Sequence, residues 1–298
     1  MSVHPAHHNG GDSTIEQFTN TDPNFNIIEQ LYDPPTVHSS HKSPKFNAHS
    51  IDNPYVLHAI SQHNRECVIP NDQVSIFATI NVKGLNNNSS ISKFHNVLDS
   101  LLYKHIDIAV ITETRLSTRT ARTYIGLSKS YPFSIFETSD NSLSSAAGVL
   151  LIVHDKYAKY ISKIYRHEAR YIYADFFFPG KIKIRVIGVY MSQYAKNDKY
   201  YNALQTSIIT LLNTSNKDGF IPIIMGDFNA SPDTLESILI NNSTCPKKYN
   251  LVHHLNSSQY LDVHPTIDVN GTTYKFPTFV TQTSNSRIDL IWVPTALA

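Results

Sequence analysis

Polar side chains stand at the ends of apolar runs in this sequence, and their types are those that phosphate chemistry uses. Asn81 follows the run Val74 to Ile80, Glu113 follows Ile106 to Thr112, and Tyr190 closes Ile182 to Tyr190. Asp227 and Asn229 lie in Gly226-Asp227-Phe228-Asn229-Ala230, directly after Phe220 to Met225, and Asp289 lies within Arg287 to Val293. Each of these groups offers an oxygen ligand or a hydrogen bond and none offers sulfur, a donor set that selects Mg²⁺ or Mn²⁺ over zinc. Cleaving a phosphodiester requires a cation at a non-bridging oxygen, a base for the attacking water and neutral donors to the phosphate. Glu113 helped by Asn81 suits the metal, Asp227 the water, and Asn229 and Tyr190 the phosphate.

Such residues can cooperate only if the chain gathers them, so the elements that carry them matter. The continuous apolar run Ile106 to Thr112 predicts a strand buried on both faces, and Phe220 to Met225 predicts another. Val74 to Ile80, Gly148 to His154, Tyr171 to Phe178, Ile182 to Tyr190 and Arg287 to Val293 are further strands, the third and fourth joined by a hairpin at Gly180. Ile91, Phe94, Leu98, Leu101 and Leu102 recur at helical spacing and predict a helix over Ile91 to Lys104, capped by Ser89 or Ser90. Asp198 to Asn213 predicts a second amphipathic helix and Asp233 to Ile240 a short one, with irregular segments before the last strand. Central strands mixed with hairpins and outer helices, without strict strand–helix alternation, point to an α/β sandwich. The polar residues then share one edge of the sheets, where open α/β sheets place their sites.

Composition divides the chain. Residues 1–72 hold eight of the fifteen histidines, and three basic residues against eight acidic ones, a net of −5. They lack a sustained apolar period and read as a disordered polar tail. Residues 73–298 hold 22 basic residues against 16 acidic ones, a net of +6, which suits a polyanionic partner. Cys67 and Cys245 have no metal-type spacing and fit a reducing compartment. Met1 to Gly11 has no apolar stretch, and no apolar run is long enough to span a bilayer. The expected location is therefore intracellular, nuclear or cytoplasmic, away from membranes.

Asn81-Val82-Lys83-Gly84-Leu85, Ile111-Thr112-Glu113-Thr114, the Tyr190 strand, Gly226-Asp227-Phe228-Asn229-Ala230 and Arg287-Ile288-Asp289-Leu290-Ile291 resemble, in order, the endonuclease/exonuclease/phosphatase family of DNase I-like enzymes. The wording of the motifs looks closest to the endonuclease domain of non-LTR retrotransposons. The resemblance covers residues 74 to 298 and implies a four-layer sandwich of two packed mixed β-sheets with outer helices. It implies Glu113 and Asn81 at the metal, Asp227 and Asn229 at the attacking water and phosphate, and Tyr190 on the phosphate. Asp289 would orient a histidine, and Thr278, in Thr278-Phe279, would meet nucleic acid. The family's closing strand and Asp-His motif are not found before Ala298, which predicts a truncated domain of doubtful activity with one sheet edge bare. Met191-Ser192 after Tyr190 also departs from the family's usual Ala-Pro.

Three functions compete on this reading. The first is a DNA endonuclease of retrotransposon or abasic-site type, with Arg115, Arg119 and Arg122 meeting backbone phosphates. A retrotransposon nuclease would belong to a coding unit with a downstream reverse transcriptase. The second is a phosphatase or phosphodiesterase for a phosphorylated small molecule or lipid headgroup. The third is a non-catalytic nucleic-acid-binding remnant.

Overall fold

The apolar runs become the central strands of two sheets. The computed structural model describes residues 75–85, 90–139, 147–191, 198–241, 244–263, 266–269, 272–275, 277–280 and 285–297. The polar segment 1–72 lies outside these residues. The first sheet holds β1 (Phe77–Asn81), β2 (Ile108–Thr112), β3 (Phe133–Thr138) and β4 (Val149–His154) in the order β1-β2-β4-β3. The second holds β5 (Ile161–His167), β6 (Tyr171–Phe178), β7 (Ile182–Tyr190), β8 (Ile221–Asp227), β9 (Tyr260–Asp262) and the later strand β14 (Asp289–Pro294). Their order is β5-β6-β7-β8-β14-β9. Between β9 and β14 lie two small antiparallel pairs, β10 (Thr266–Val269) with β11 (Thr272–Lys275), and β12 (Phe279–Val280) with β13 (Asn285–Ser286).

One parallel pair sits in each sheet, β1 with β2 and β7 with β8, and the other neighbours run antiparallel. The series β3-β4-β2-β1 therefore repeats the order of directions in β5-β6-β7-β8. No internal repeat is visible in the sequence, because the likeness lies in topology.

Alternation within the buried strands explains their continuous apolar composition. Ile108 and Val110 face the layer between the sheets, together with Val149, Leu151 and Val153 from β4 and Ile172, Phe176, Val186 and Met225 from the second sheet. Ala109 and Ile111 face the other way, against α1 (Ser90–Tyr103) and α2 (Thr118–Leu127). On the far side, Ile187, Val189 and Ile224 pack under α4 (Asp198–Lys217), α5 (Pro232–Asn241) and α6 (Asn250–Ser257), whereas the short α3 (Asp155–Ala158) lies against β3 and β4 of the first sheet. The result is the four-layer α/β sandwich. None of the helices of the described residues is long and apolar enough to cross a membrane.

Several boundaries differ from those read in the sequence. In α1 the buried stripe is Phe94, Val97, Leu98 and Leu101, whereas Ile91 and Leu102 are each 43% exposed and do not belong to it. The segment carrying Arg119 and Arg122, which gives no apolar signal, is the helix α2, capped by Ser117 Oγ accepting from the Thr120 amide. Strands β3 and β5 are sheet edges, and half-exposed edge strands lack the continuous apolar run that marks the centre.

Two glycines permit close approach. A Cβ on Gly188 would stand 2.8 Å from Val110 Cγ2, so the backbone of the second sheet rests directly on the Val110 side chain of the first. Gly226 has φ +141°, and a Cβ there would lie 2.0 Å from the Val189 carbonyl oxygen. Gly226→Ala is expected to lower unfolding free energy by about 3 kcal/mol or more, because neither the dihedral nor the backbone contact can relax cheaply. Urea unfolding followed by circular dichroism measures this; a loss under about 1 kcal/mol would contradict the account.

Candidate active site

The candidate residues form two rows on facing sheets. In the second sheet Tyr190 pairs in register with Asp227, and Asp227 with Asp289, so three adjacent strands present one row across their ends. In the first sheet Asn81 pairs with Thr112, which places Glu113 one residue beyond. Two hydrogen bonds join the rows: Asn81 Nδ2 donates to Asp227 Oδ2 at 2.9 Å, and the Tyr190 hydroxyl donates to Glu113 Oε1 at 3.3 Å. The structure thus brings Asn81, Glu113, Tyr190, Asp227 and Asp289 to one edge of the sandwich, with Asn229 beside them.

Local backbone geometry makes this possible. Ile108 and Val110 point between the sheets, so strict alternation would send Glu113 outward. Its φ of +56° breaks the alternation. The turn is held by Thr114 N to Gly148 O at 3.2 Å, Arg115 N to Ala147 O at 2.8 Å and Leu85 N to Thr114 O at 2.8 Å. Asn229 has φ +48°, and its amide N–H donates to Asp227 Oδ1 at 2.8 Å while its side-chain nitrogen donates to the Met191 carbonyl. Non-glycine residues held at positive φ cost energy and cluster where function demands a fixed direction. Asp227 is 2% exposed, and both of its oxygens are engaged, by Asn229 and by Asn81.

Charge is crowded here. Burial, then the neighbouring Asp289, push the Asp227 carboxyl well above its usual range, with Glu113 adding to the effect. Burial, then Glu113, push Asp289 up to about 7, opposed by Thr278 and Lys83. Burial and Glu113 raise the Tyr190 phenol, which keeps it a proton donor at neutral pH. Asp289 Oδ1 is buried, and no described residue bonds to it. No hydrogen bond from a described residue reaches Glu113 Oε2 either, although Arg115 Nη2 lies 3.4 Å from Oε1.

The remaining sequence candidates separate. Arg115 belongs to the site edge through its contact with Glu113. Arg119 and Arg122 are exposed on α2 and line a shallow depression with Thr118 and Thr123. The Thr278 hydroxyl accepts from the amides of Ile288 and Asp289, both at 3.0 Å, so it fixes the start of β14. Sequence reasoning missed three residues. Arg287 is 2% exposed; its Nε and Nη2 each donate to Asp233 at 2.9 Å, and Nη1 donates to Asp262. It binds the start of α5 and the end of β9 to the segment entering Asp289. Arg170 lays its guanidinium 5.4 Å from the Tyr190 ring centroid. Lys83 stands within the Asn81 motif and acts on Asp289. Lys83 and Arg287 lie inside motifs visible in the sequence, although no period or spacing sets either apart, and Arg170 carries no sequence signal.

Among individually characterised proteins no sequence match was found. Similar folds occur among solved structures. The AP endonuclease LMAP from Leishmania major superposes with a TM-score of 0.56 at 14% identity, covering 74% of this chain and 79% of that one. An AP endonuclease from Archaeoglobus fulgidus gives 0.50 at 16% identity, covering 72% and 85%. The 3′ phosphatase NExo from Neisseria, bound to a product DNA hairpin, gives 0.51 at 16% identity, covering 73% and 86%. The sequence profile of the Endonuclease/Exonuclease/phosphatase family matches residues 78–298, which include every residue of the two facing rows, and this chain belongs to that family.

Proposed function

We propose that this chain hydrolyses phosphodiester bonds of DNA with Mg²⁺ or Mn²⁺, as an endonuclease of the abasic-site or retrotransposon type. The observation that carries the reading is the pair of facing rows joined by Asn81–Asp227 and Tyr190–Glu113. The order and wording of the motifs favour the retrotransposon type, and two neighbours in fold are AP endonucleases.

The residues present fit a divalent cation. Two carboxylate oxygens, Glu113 Oε2 and the buried Asp289 Oδ1, carry no hydrogen bond from any described residue; burial, with Asp289 and Glu113 nearby, raises the proton affinity of Asp227, and burial, with Glu113 nearby, raises that of Asp289. Among the described residues no group of three or more His, Cys, Asp or Glu is placed to hold a metal ion by itself. Magnesium takes one or two carboxylates and keeps its waters, so a full cage is unnecessary. Glu113 and the Asn81 amide oxygen would hold the ion. When bound, it supplies a Lewis acid that offsets phosphate charge.

The chain's own groups do the rest. Asp227, fixed by Asn81 and the Asn229 amide, is aimed to align water and take its proton. The second hydrogen of Asn229 Nδ2 can meet a phosphate oxygen without adding negative charge. Tyr190 remains protonated and offers its hydrogen to the phosphate. Asp289 stands in register beside Asp227, and its charge raises the proton affinity of that carboxyl.

Relaxation of supercoiled plasmid in Mg²⁺, absent in EDTA, is the expected activity. Glu113→Ala and Asp227→Asn should each lower the rate at least about 100-fold, on the order of 3 kcal/mol. Nicking by Glu113→Ala at the wild-type rate would reject the metal assignment, and phosphate release from inositol phosphates without nicking would favour the small-molecule reading. Stability should respond to pH as well. Asp227 and Asp289 have raised folded-state proton affinities, so the folded protein binds more protons than the unfolded chain from about pH 4 to 7. The metal-free protein is then most stable below that window and loses stability as pH rises through it. Its Tm should fall between pH 5 and 8, Asp289→Asn should flatten the fall, and Mg²⁺ should raise Tm more at pH 8 than at pH 5. A metal-free Tm that climbs over that range would contradict the crowding of carboxylates.

A further inference from the structure

We propose that Lys83 is the cation that receives a substrate phosphate on the Asp289 side of the cleft. This deepens the phosphodiesterase reading and rests on it. Lys83 stands two residues past the end of β1, with φ +48°. Its amide donates to Asn81 Oδ1 at 2.9 Å, so the residue that holds Asp227 also sets the direction in which Lys83 leaves the chain. The turn is clamped from two more sides. Lys93 Nζ donates to the Val82 carbonyl at 2.6 Å, and Leu85 N donates to Thr114 O at 2.8 Å. The backbone of Lys83 is therefore fixed while its side chain is exposed.

The ammonium reaches across from the first sheet to the segment that precedes β14. Lys83 Nζ lies 5.8 Å from the centroid of the Phe279 ring. Phe279 follows Thr278, whose hydroxyl accepts from the Asp289 amide. The positive charge is near enough to draw the Asp289 carboxyl downward against its burial.

Charge balance explains why the cleft needs it. Glu113, Asp227 and Asp289 place three carboxylates where an anionic phosphodiester must approach. A divalent ion held by Glu113 and Asn81 offsets two of these charges on one side only. Of the other cations at this edge, Arg115 is paired with Glu113, and Arg170 is stacked on Tyr190 with Nη1 buried. Lys83 forms no ion pair with a described residue, and a lysine head group binds phosphate as a compact point charge without a fixed fork.

The test is equilibrium binding of a fluorescein-labelled DNA duplex, read by anisotropy with Ca²⁺ in place of Mg²⁺, over about 50 to 200 mM KCl. Lys83→Gln should weaken binding several-fold and reduce the slope of log affinity against log salt by about one. Lys83→Arg should restore both. A structural role would leave the salt slope unchanged, and an unaltered Tm of Lys83→Gln confirms that the variant folds. Wild-type affinity and slope in Lys83→Gln would overturn the assignment of Lys83 while leaving the nuclease reading intact. A wild-type protein with no salt-dependent affinity for DNA would overturn both.

Discussion

The site depends on how closely two sheets are pressed together. Ile108, Val110, Val149 and Leu151 on one side meet Ile172, Val186 and Met225 on the other in a buried apolar layer. Gly188 against Val110 removes one side-chain thickness near the centre. Neither sheet contains a complete set of polar groups. Only at this separation can Asn81 reach Asp227 and Tyr190 reach Glu113. Hydrophobic burial, which has no direction of its own, sets the distance. Strand register, which does have direction, decides which side chains use it.

Ion pairs made by buried arginines fix what the aliphatic layer cannot. Arg287 holds Asp233 through a two-point contact and Asp262 through its third nitrogen, tying α5 and β9 to the entrance of β14. Asp289 begins that strand, and its amide is capped by Thr278. At the far end of the same sheet, Arg185 grips Asp175 at 2.6 and 2.8 Å, bonds Ser215, and stacks on Tyr173 and Phe220. Breaking one partner of such a pair leaves a buried charge unmatched, which costs far more than the intact pair contributes. These arginines are therefore rigid fasteners whose geometry is inherited by the neighbouring strands.

Much of this was legible from residue types and their periods. Tyr171–Phe178 and Ile182–Tyr190 have the bounds that the apolar runs suggest, because strands buried on both faces are written continuously. That Asn81, Glu113, Tyr190, Asp227, Asn229 and Asp289 are candidates could also be read, since each ends or enters such a run, and strand register gathers them at one edge. What could not be read depends on contacts distant in sequence. Helix α4 continues to Lys217, with the Thr214 and Ser215 hydroxyls bonding back to the carbonyls of Thr210 and Leu211, and the weak helix formers of that last turn conceal it in the sequence. Helix α2 buries only Ala121 and Tyr124, too few for a visible stripe. The left-handed turn at Glu113 has no marker, because the glycine that accommodates it, Gly148, is 35 positions away and its Cβ would strike Thr114 Oγ1 at 2.2 Å. The role of the Thr278 hydroxyl in accepting from two amides of its own chain, Ile288 and Asp289, is likewise invisible in the sequence.

The division of polar groups between the sheets has a consequence for how the molecule fails. A pocket built on one loop can be lost by local fraying while the remainder stays folded. Here the two hydrogen bonds that join the rows span the interior, so neither sheet alone holds the whole set. Any opening of the sandwich separates Asn81 from Asp227 and Glu113 from Tyr190 at once. The chemistry of this edge is in effect a gauge of whether the whole interior is closed.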